Sequence, residues 1–409
     1  MSNAKTYTLM PRDLLFFRDA RPMDVRKEDE GKGYRAIGHG ANWPRPDILH
    51  SAVMHELIRD MNVSEEEWYG SVTDLKVMGP FPYKGNEIYL PRPLDWDMKL
   101  YQMPVDTDGK SNLPEPLTHA FLDRCEGKKK YPEWISLEEY KRYLTNQVGQ
   151  GKPKKEVDEP KSEKLFERAP RNGITLDRDS GASKRTDNAY SGRYQAEYLE
   201  LSKGVQMLCE IEQSSKAMPE DGQSMIMGGQ GGTVAFKACE AEVLRGKLEA
   251  LPRGTPSCYV RWSLITPAVF EKGWMPNWLN ADGKVMIPQN EVLRQAGEKR
   301  EAFRKRKQAE SRFFDSAKLI AACIGSAIHF SGWDSVEKEK PTLLAVPAGS
   351  CYVFKCDTVE EAEKLVKALH LKRLSDLGEK GFGIGVCSYL LKPEAIDLYK
   401  DDETSINGF

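Results

Sequence analysis

At 409 residues the chain exceeds what one hydrophobic core usually organises, which predicts two domains, 1–256 and 257–409. Its 60 Lys and Arg residues are balanced by 62 Asp and Glu residues, which excludes a cationic coat over the whole molecule, so any nucleic-acid surface must be local. No apolar run is long enough to cross a bilayer and no signal-peptide pattern occurs, so we expect a soluble cytoplasmic protein without membrane contact.

The first half begins with a strand at YTLM (7–10), and LLFF (14–17) is typical of a second strand or of its continuation. Apolar residues at helical spacing predict a helix that starts at Asp47, taken as its N-cap, and ends near residue 61. DLKVMGPFPY and EIYLPRPL, which follow, are typical of a hairpin with a three-residue turn at 84–86.

Between 103 and 170 the sequence is rich in lysine, glutamate and proline and poor in apolar residues, which predicts a long, partly disordered insertion. Within it, the segment from Ser136 to Glu139 has the form of a capping box and predicts a short helix. After the insertion, residues 192–212 are typical of a strand, a turn at 202–204 and a second strand.

The second half opens with the strand-like CYVRWSLITPAVF (258–270), and its basic stretch 294–312 is interpreted as a solvated amphipathic helix or, alternatively, a phosphate-facing one. CYVFKCD (351–357), a helix capped by Thr358, and IGVCSYLL (384–391) predict a strand-helix-strand unit. With the strand-helix-hairpin order of the first half, this predicts an α+β fold of two ferredoxin-like (RRM-like) domains.

Chemical motifs for catalysis are scarce. The eight cysteines form no Cys-x-x-Cys pair and no cluster at zinc spacing, so we expect buried thiols and neither a metal nor another cofactor. The histidines form no HExxH motif, and no GxSxG elbow occurs. His39, between two glycines, is the one histidine in an exposed setting, and it is either an RNA contact or an acid or base.

Two glycine clusters precede strands. GFGIGV (381–386) does not lead from a strand into a helix, as a dinucleotide-binding loop does. It is either a plain turn or a loop that presses its backbone against an RNA phosphate, with Phe382 stacking on a base. MGGQGG (227–232) is either a flexible loop or a second backbone site for an anion.

The segments LLFFRDARPM (14–23) and GHGANWPRPD (38–47) concentrate arginine, histidine and tryptophan in loops. The strand-like apolar residues of the first segment would anchor it, so that Arg18 and Arg21 project toward RNA or a neighbouring subunit, with Asp19 holding one of them. The alternative is that these arginines form ion pairs with Asp19 or Asp24 and merely brace the loop.

Several blocks along the chain together resemble the RAMP-superfamily subunit that caps the guide RNA in Cmr-type (type III-B) CRISPR effectors. The blocks are LLFFRDARPM, GHGANWPRP, RNGITLDRD followed by SGRY, MGGQGG, ITPAVFEKGWMP, SGWD, AVPAGSCYVF and GFGIGV. Each is short, and their joint order carries the resemblance. The chain departs from the family in its long insertion and in its GGQGG block, where an acidic or arginine-bearing version is common.

The resemblance implies two ferredoxin-like domains packed together and no enzymatic activity. It also implies contacts to the 5′ tag of the CRISPR RNA, to the large polymerase-type subunit and to the first backbone RAMP subunit, in a ribonucleoprotein for antiviral defence. Target RNA would be recognised by base pairing with the guide, and only indirectly by this chain.

The leading hypothesis is therefore a non-catalytic RNA-binding subunit that caps the 5′ tag and bridges the large subunit to the backbone. Its candidate RNA contacts are Arg18, Arg21, Arg35, His39, Asn42, Trp43, Arg45, Gly228, Gly229, Gly381, Phe382, Gly383 and Gly385. One alternative is a metal-independent RNA-processing endonuclease of the same superfamily with His39 as acid or base, and another is a structural scaffold that contacts proteins only.

Overall fold

The structure is a computed structural model, and it describes the following residues: 3–19, 21, 24–27, 34–59, 74–105, 111–123, 131–148, 158–174, 176, 179–182, 190–213, 218–240, 243–288, 292, 295, 298–334 and 338–396. These residues form a mixed α+β fold, as predicted. Among them, no helix has the length and apolar character that crossing a membrane requires.

The described residues contain five α-helices: α1 (Pro46–Ile58), α2 (Leu137–Leu144), α3 (Val243–Glu249), α4 (Arg300–Ala309) and α5 (Val359–Leu369). Ser136 and Thr358 cap α2 and α5 as predicted, because each side-chain oxygen accepts a hydrogen bond from the backbone N–H three residues later. The predicted N-cap Asp47 is wrong. Helix α1 begins at Pro46, whose fixed φ suits the first helical position, and Asp47 lies in the first turn.

Thirteen described strands precede residue 257: β1 (Asn3–Pro11), β2 (Asp24–Lys27), β3 (Tyr34–Gly38), β4 (Lys76–Lys84), β5 (Glu87–Pro91), β6 (Met98–Gln102), β7 (His119–Asp123), β8 (Trp134–Ser136), β9 (Phe166–Ile174), β10 (Tyr190–Leu201), β11 (Val205–Gln213), β12 (Ser224–Ile226) and β13 (Thr233–Ala238). The later described strands are β14 (Tyr259–Leu264), β15 (Lys284–Pro288), β16 (Ser311–Cys323), β17 (Ile328–Phe330), β18 (Trp333–Asp334), β19 (Lys338–Glu339), β20 (Leu343–Ala345), β21 (Cys351–Lys355), β22 (Gly385–Tyr389) and β23 (Glu394–Ala395).

The largest sheet has the strand order β12-β13-β1-β11-β4-β5-β8. Tyr7 and Leu9 of β1 lie two residues apart and therefore point to one face, where they share a buried core with Leu49 and Val53 of α1. The opposite face is covered by α2 and α3, and Leu208 of β11 belongs to the core on that side. Helices on both faces explain why this sheet is buried through most of its length.

The second large sheet has the order β15-β16-β21-β14-β22. The predicted strand-helix-strand unit near the end of the chain is confirmed as β21, α5 and β22. Strand β14 lies between β21 and β22 and is antiparallel to both, so the two outer strands are parallel to each other. Leu365 and Leu369 of α5 are buried in the same core as Trp262 and Phe354 of the sheet.

A four-stranded sheet, β2-β3-β10-β9, stands beside the first large sheet. Strand β10 pairs with β3 in parallel and with β9 antiparallel. The strands predicted on either side of the turn at 202–204 are confirmed, but β10 and β11 belong to different sheets. Smaller sheets are β23-β6-β7, β17-β20 and β18-β19.

Three predictions about local structure need correction. LLFF (14–17) is not a continuous strand, because it forms only isolated bridges to other segments. The predicted three-residue turn at 84–86 is a two-residue turn, since Lys84 pairs directly with Glu87. Part of the predicted insertion is ordered within the core, where Tyr140 and Leu144 of α2 are fully buried.

Candidate nucleic-acid interface

Residues 14–19 are held between three other parts of the chain. Leu15 exchanges two backbone hydrogen bonds with Leu199 of β10, with N to O distances of 3.1 and 2.7 Å. The Gly229 N–H donates to Phe16 O at 2.8 Å, and the Ala41 N–H donates to Phe17 O at 2.6 Å. Two segments that the sequence marked separately, LLFFRDARPM and MGGQGG, are thereby brought into direct contact, and the GHGAN loop joins them.

The two arginines of this segment differ in their surroundings. Arg21 donates to Asp19 through Nε at 2.6 Å, so the aspartate holds it as the bracing interpretation predicted. Arg18 is exposed, and its backbone bridges Gly40. Within the described ranges, the Arg18 guanidinium forms no ion pair. Of the pair, Arg18 is therefore the cation whose donors are free for a partner.

Beside Arg18, a polar network joins the GHGAN loop to β9 and β10. One oxygen of the Glu197 carboxylate accepts a hydrogen bond from Arg168 Nη1 at 2.8 Å and lies 3.2 Å from His39 Nδ1. Arg168 also donates through Nε to Asn42 Oδ1 at 2.9 Å. Asn42 in turn donates through Nδ2 to Glu133 at 2.7 Å. The predicted residues His39 and Asn42 are thus brought together, and they lie one and two residues from Gly40, whose backbone bridges Arg18.

Two predicted RNA contacts in the same loop are occupied by the protein itself. Trp43 donates through Nε1 to Pro80 O at 2.8 Å, and its ring packs against Trp134 and Phe166. Arg45 binds Asp47 through two hydrogen bonds of 3.0 and 3.1 Å, and its guanidinium lies 4.8 Å from the centre of the Phe330 ring. Trp43 therefore packs within the protein, and these contacts do not fit the prediction that Trp43 and Arg45 contact RNA.

The GFGIG segment is also corrected. Gly381, Phe382, Gly383 and Gly385 are all buried, and Phe382 is 0% exposed and stacks on Phe330 at a centroid distance of 5.5 Å. Backbone N–H groups of the segment donate to protein oxygens, including Gly383 N to Pro267 O at 2.7 Å. A base could not stack on Phe382, nor a phosphate reach these amides, without opening the core. The glycines instead allow close packing, because a Cβ at Gly381 would lie 2.9 Å from Val77 O.

Two further regions that the sequence analysis singled out are Arg35 and the basic stretch 294–312. Arg35 lies on β3 directly opposite Arg26 of β2, and its side chain is outside what the structure describes. In the basic stretch, α4 has the character of a solvated helix. Its Arg304 pairs with Asp376 at 2.6 Å, and Arg306 pairs with a glutamate at 2.8 Å. The alternative, a phosphate-facing helix, therefore has little support.

A cavity of about 350 Å³ lies elsewhere, where β6, the end of α2 and the chain after β22 meet. Its wall contains the buried Arg261, which donates to Asp95 at 3.2 Å and lies over the Tyr143 ring at 3.6 Å. Tyr143 donates to the other oxygen of Asp95 at 2.6 Å. The positive charge of Arg261 is therefore compensated by the negative charge of Asp95, and this buried ion pair joins the first half of the chain to the second. Among the described residues, no group of three or more His, Cys, Asp or Glu side chains could hold a metal ion.

Arg168 and Glu197 were missed by the sequence analysis. They lie 29 positions apart, and no local pattern links them. They meet because the antiparallel register of β9 and β10 places Arg168 opposite Leu199, two residues from Glu197. The only local signal is that one segment carries Arg168 and Arg171 and the other carries Glu197 and Glu200, which are opposite charges suited to cross-strand pairing.

Comparison with known proteins gives one family and several distant structural likenesses. A family model described as CRISPR-associated protein (Cas_Cmr3) matches residues 7–388. A chain of the type III-B Cmr-beta complex bound to cognate target RNA is 12% identical, with a TM-score of 0.45 and coverage of 92% of this chain and 95% of that chain. A chain of the same complex bound to cognate target RNA and AMPPnP is 13% identical, with a TM-score of 0.40 and coverage of 85% and 86%.

A chain of the Csm3-Csm4 subcomplex of the type III-A interference complex is 11% identical, with a TM-score of 0.36 and coverage of 87% of this chain and 93% of that chain. No curated protein matches the sequence.

Proposed function

The chain belongs to the Cas_Cmr3 family of CRISPR-associated proteins, and we propose that it is a subunit of a type III CRISPR effector complex that caps the 5′ tag of the CRISPR RNA. In this role it is a non-catalytic RNA-binding subunit. It would bridge the large polymerase-type subunit to the first of the backbone subunits that carry the guide.

The observation that carries this proposal is the convergence of polar donors beside residues 14–19. Arg18, His39, Asn42 and Arg168 come from three segments and lie on one surface, next to the exposed loop at 228–230. Guanidinium, imidazole and amide groups are the donors that proteins direct at nucleic-acid phosphates and base edges. Such a local surface fits a chain whose total charge is near zero.

Within the proposal, the RNA contacts are Arg18, Arg21, Arg35, His39 and Asn42, with the backbone at Gly228 and the added Arg168. Trp43, Arg45, Gly381, Phe382, Gly383 and Gly385 are set aside because they are buried or packed against the protein's own rings and backbone. Gly229 is also set aside, because its N–H donates to Phe16 O. Arg18 ranks first among the cations because Arg21 is held by Asp19. These surroundings support Arg18 over Arg21 as the arginine that faces the RNA, and mutagenesis can test that assignment.

We further propose that each half of the chain is a ferredoxin-like unit. The second half has the spatial strand order β16-β21-β14-β22. In sequence, α5 lies between β21 and β22. In the first half, β4-β11-β1-β13 has the corresponding order, and α1 lies between β1 and β4 in sequence. In the second half α4 also lies between β14 and β16 in sequence, which gives the alternation of strands and helices that is typical of a ferredoxin-like unit.

The test is guide retention by the assembled complex that carries Arg18→Ala. Loss of a charge-assisted phosphate contact is expected to weaken binding of tag-containing guide RNA about tenfold and to shorten the protected tag footprint. Lys364→Ala is the matched control, because it removes one exposed cation from α5 in the other half of the chain. It should leave retention and footprint unchanged.

Three outcomes would contradict the proposal. Unchanged retention and footprint in Arg18→Ala would remove the RNA role of this surface. Protection of the guide that does not depend on this chain would favour a scaffold that contacts proteins only. Cleavage of repeat RNA by the isolated wild-type chain, lost in His39→Ala, would favour the endonuclease.

A further inference from the structure

Three side chains of the proposed RNA surface, Arg168, His39 and Asn42, are already hydrogen-bonded to the protein's own acidic side chains. Glu197 Oε2 is approached by Arg168 Nη1 at 2.8 Å, His39 Nδ1 at 3.2 Å and the Gly40 N–H at 3.4 Å. A second carboxylate, Glu133, accepts from Asn42 Nδ2 at 2.7 Å. Guanidinium, imidazole, backbone N–H and amide groups, all typical phosphate donors, therefore converge on carboxylates.

The backbone explains why the Glu197 carboxylate lies in this place. Gly40 packs directly on β10, so that a Cβ at this position would collide with the Glu197 carbonyl. The GHGAN loop therefore lies flat against the strand, and the Glu197 side chain reaches the loop's N–H and the His39 ring. Burial by itself would raise the pKa of Glu197, but hydrogen bonds from His39 and Gly40 and the charge of Arg168 outweigh it and lower the pKa. The carboxylate is thus ionised at neutral pH.

A carboxylate and a phosphate compete for the same donors, because both present paired oxygens that a guanidinium can bind. The network contains one guanidinium, Arg168, and two carboxylates, Glu197 and Glu133. The carboxylates therefore outnumber the guanidinium. This arrangement disfavours a polyanion until a carboxylate is displaced. The side chains can rearrange, since Arg168 is 36% and Glu197 25% exposed.

We infer that Glu197 is an affinity-setting residue that occupies the Arg168 and His39 donors in the RNA-free chain and must be displaced by an incoming RNA phosphate. This inference rests on the proposed function. RNA that makes further contacts, through tag bases or the Arg18 guanidinium, offsets the cost of displacement. RNA without those contacts does not offset this cost, and it therefore does not displace Glu197. Glu197 would thus lower the affinity of the chain for RNA that lacks the tag more than it lowers productive binding of the guide.

The test is a double-mutant cycle on the full-length chain with Glu197→Gln, Arg168→Ala and both together. The probes are a guide RNA with its 5′ tag and an unrelated single-stranded RNA of the same length. Glu197→Gln is expected to tighten binding of both RNAs five- to tenfold. The slope of log K against log salt should steepen by about 0.7, because Arg168 then neutralises one phosphate of a single strand without leaving a carboxylate unpaired. In the Glu197→Gln background, Arg168→Ala should remove the gain.

Glu200→Gln is the matched control. It makes the same change of charge on the same strand, three residues away, at an exposed side chain of the opposite face of β10. It should change RNA affinity less than twofold. If it tightens binding as much as Glu197→Gln does, the effect is one of total charge and the inference is wrong.

The remaining outcomes separate this inference from the proposed function. Weaker RNA binding by a folded Glu197→Gln chain would mean that the carboxylate only holds Arg168 in place, and it would overturn the inference. If Glu197→Gln fails to fold, Glu197→Ala decides by the same criterion, because the inference expects tighter RNA binding when the carboxylate is removed, whereas unchanged or weaker binding by the folded variant overturns it. Failure of Arg18→Ala to affect RNA binding would instead count against the proposed function.

Discussion

The two glycine-rich segments, MGGQGG (227–232) and GFGIG (381–385), have similar composition and opposite surroundings. In the first, Gly228, Gly229 and Gln230 are exposed, and the backbone meets residues 14–19 at the surface. In the second, every residue is buried and the backbone packs against the core. A glycine cluster in a sequence therefore indicates that another group packs closely against the backbone, but it does not indicate whether the segment is buried or exposed to solvent.

The sharpest test of this comparison uses two glycines with the same backbone conformation. Gly231 and Gly383 both have a φ of +70°, so alanine meets the same left-handed strain at each. A Cβ at Gly231 would meet nothing within 4 Å, whereas at Gly383 it would lie 2.5 Å from the Ser375 Cβ. We expect Gly231→Ala to lower the free energy of unfolding by about 1 kcal/mol, and Gly383→Ala by about 3 to 4 kcal/mol, since overpacking adds to the strain.

Urea unfolding followed by circular dichroism measures both values. Equal losses of stability in the two variants would mean that the GFGIG segment is not packed as described, and the comparison between the two segments would fail.

A buried histidine next to the GFGIG segment, His370, should make the stability of the fold sensitive to acid. His370 Nδ1 accepts a hydrogen bond from the Cys387 N–H at 3.1 Å, just after GFGIG. Burial, reinforced by the positive charge of Arg253, lowers the pKa of His370 to about 4 from an ordinary value of 6.5. Between these values the unfolded chain binds more protons than the folded chain, so stability falls as the pH drops from about 6.5 toward 4.

For His370 alone, the free energy of unfolding should fall by about 2 kcal/mol between pH 7 and pH 5. Burial lowers the pKa of His50 to about 3 and of His119 to about 4, so both act in the same direction. The contribution of His370 is therefore isolated by comparing the wild type with His370→Gln in urea at both pH values. A variant as sensitive to pH as the wild type would show that this histidine is not responsible.

The smallest expected effect separates an arginine that supports the fold from one that faces a partner. Arg45 is tied to Asp47 and lies over Phe330, which itself stacks on Phe382 of the buried segment. Arg45→Ala should lower the free energy of unfolding by about 1 kcal/mol through the lost ion pair and cation–π contact. Guide retention by the assembled complex should match that of Lys364→Ala. Loss of guide RNA comparable to that in Arg18→Ala would restore Arg45 to the RNA surface.

The sequence analysis was most successful where a structure depends on neighbours in the chain. The caps at Ser136 and Thr358 and the unit of β21, α5 and β22 were predicted, because capping needs a hydroxyl and an N–H three residues apart. The Asp47 cap failed because Pro46 competes for the same helix start. Family membership, too, was predicted from the order of short blocks, and the Cas_Cmr3 match confirms it.

Sequence alone thus determined the α+β composition, several element boundaries and the family, since these depend on patterns that are local or ordered along the chain. Tertiary structure alone decided which segments meet. The bond between Gly229 and Phe16 spans more than 200 residues, and the register of β9 and β10 brings Arg168 to Glu197. It also decided that GFGIG is buried while MGGQGG is exposed. Burial and long-range pairing depend on how the two sheets and their helices pack together, and no short stretch of sequence contains that information.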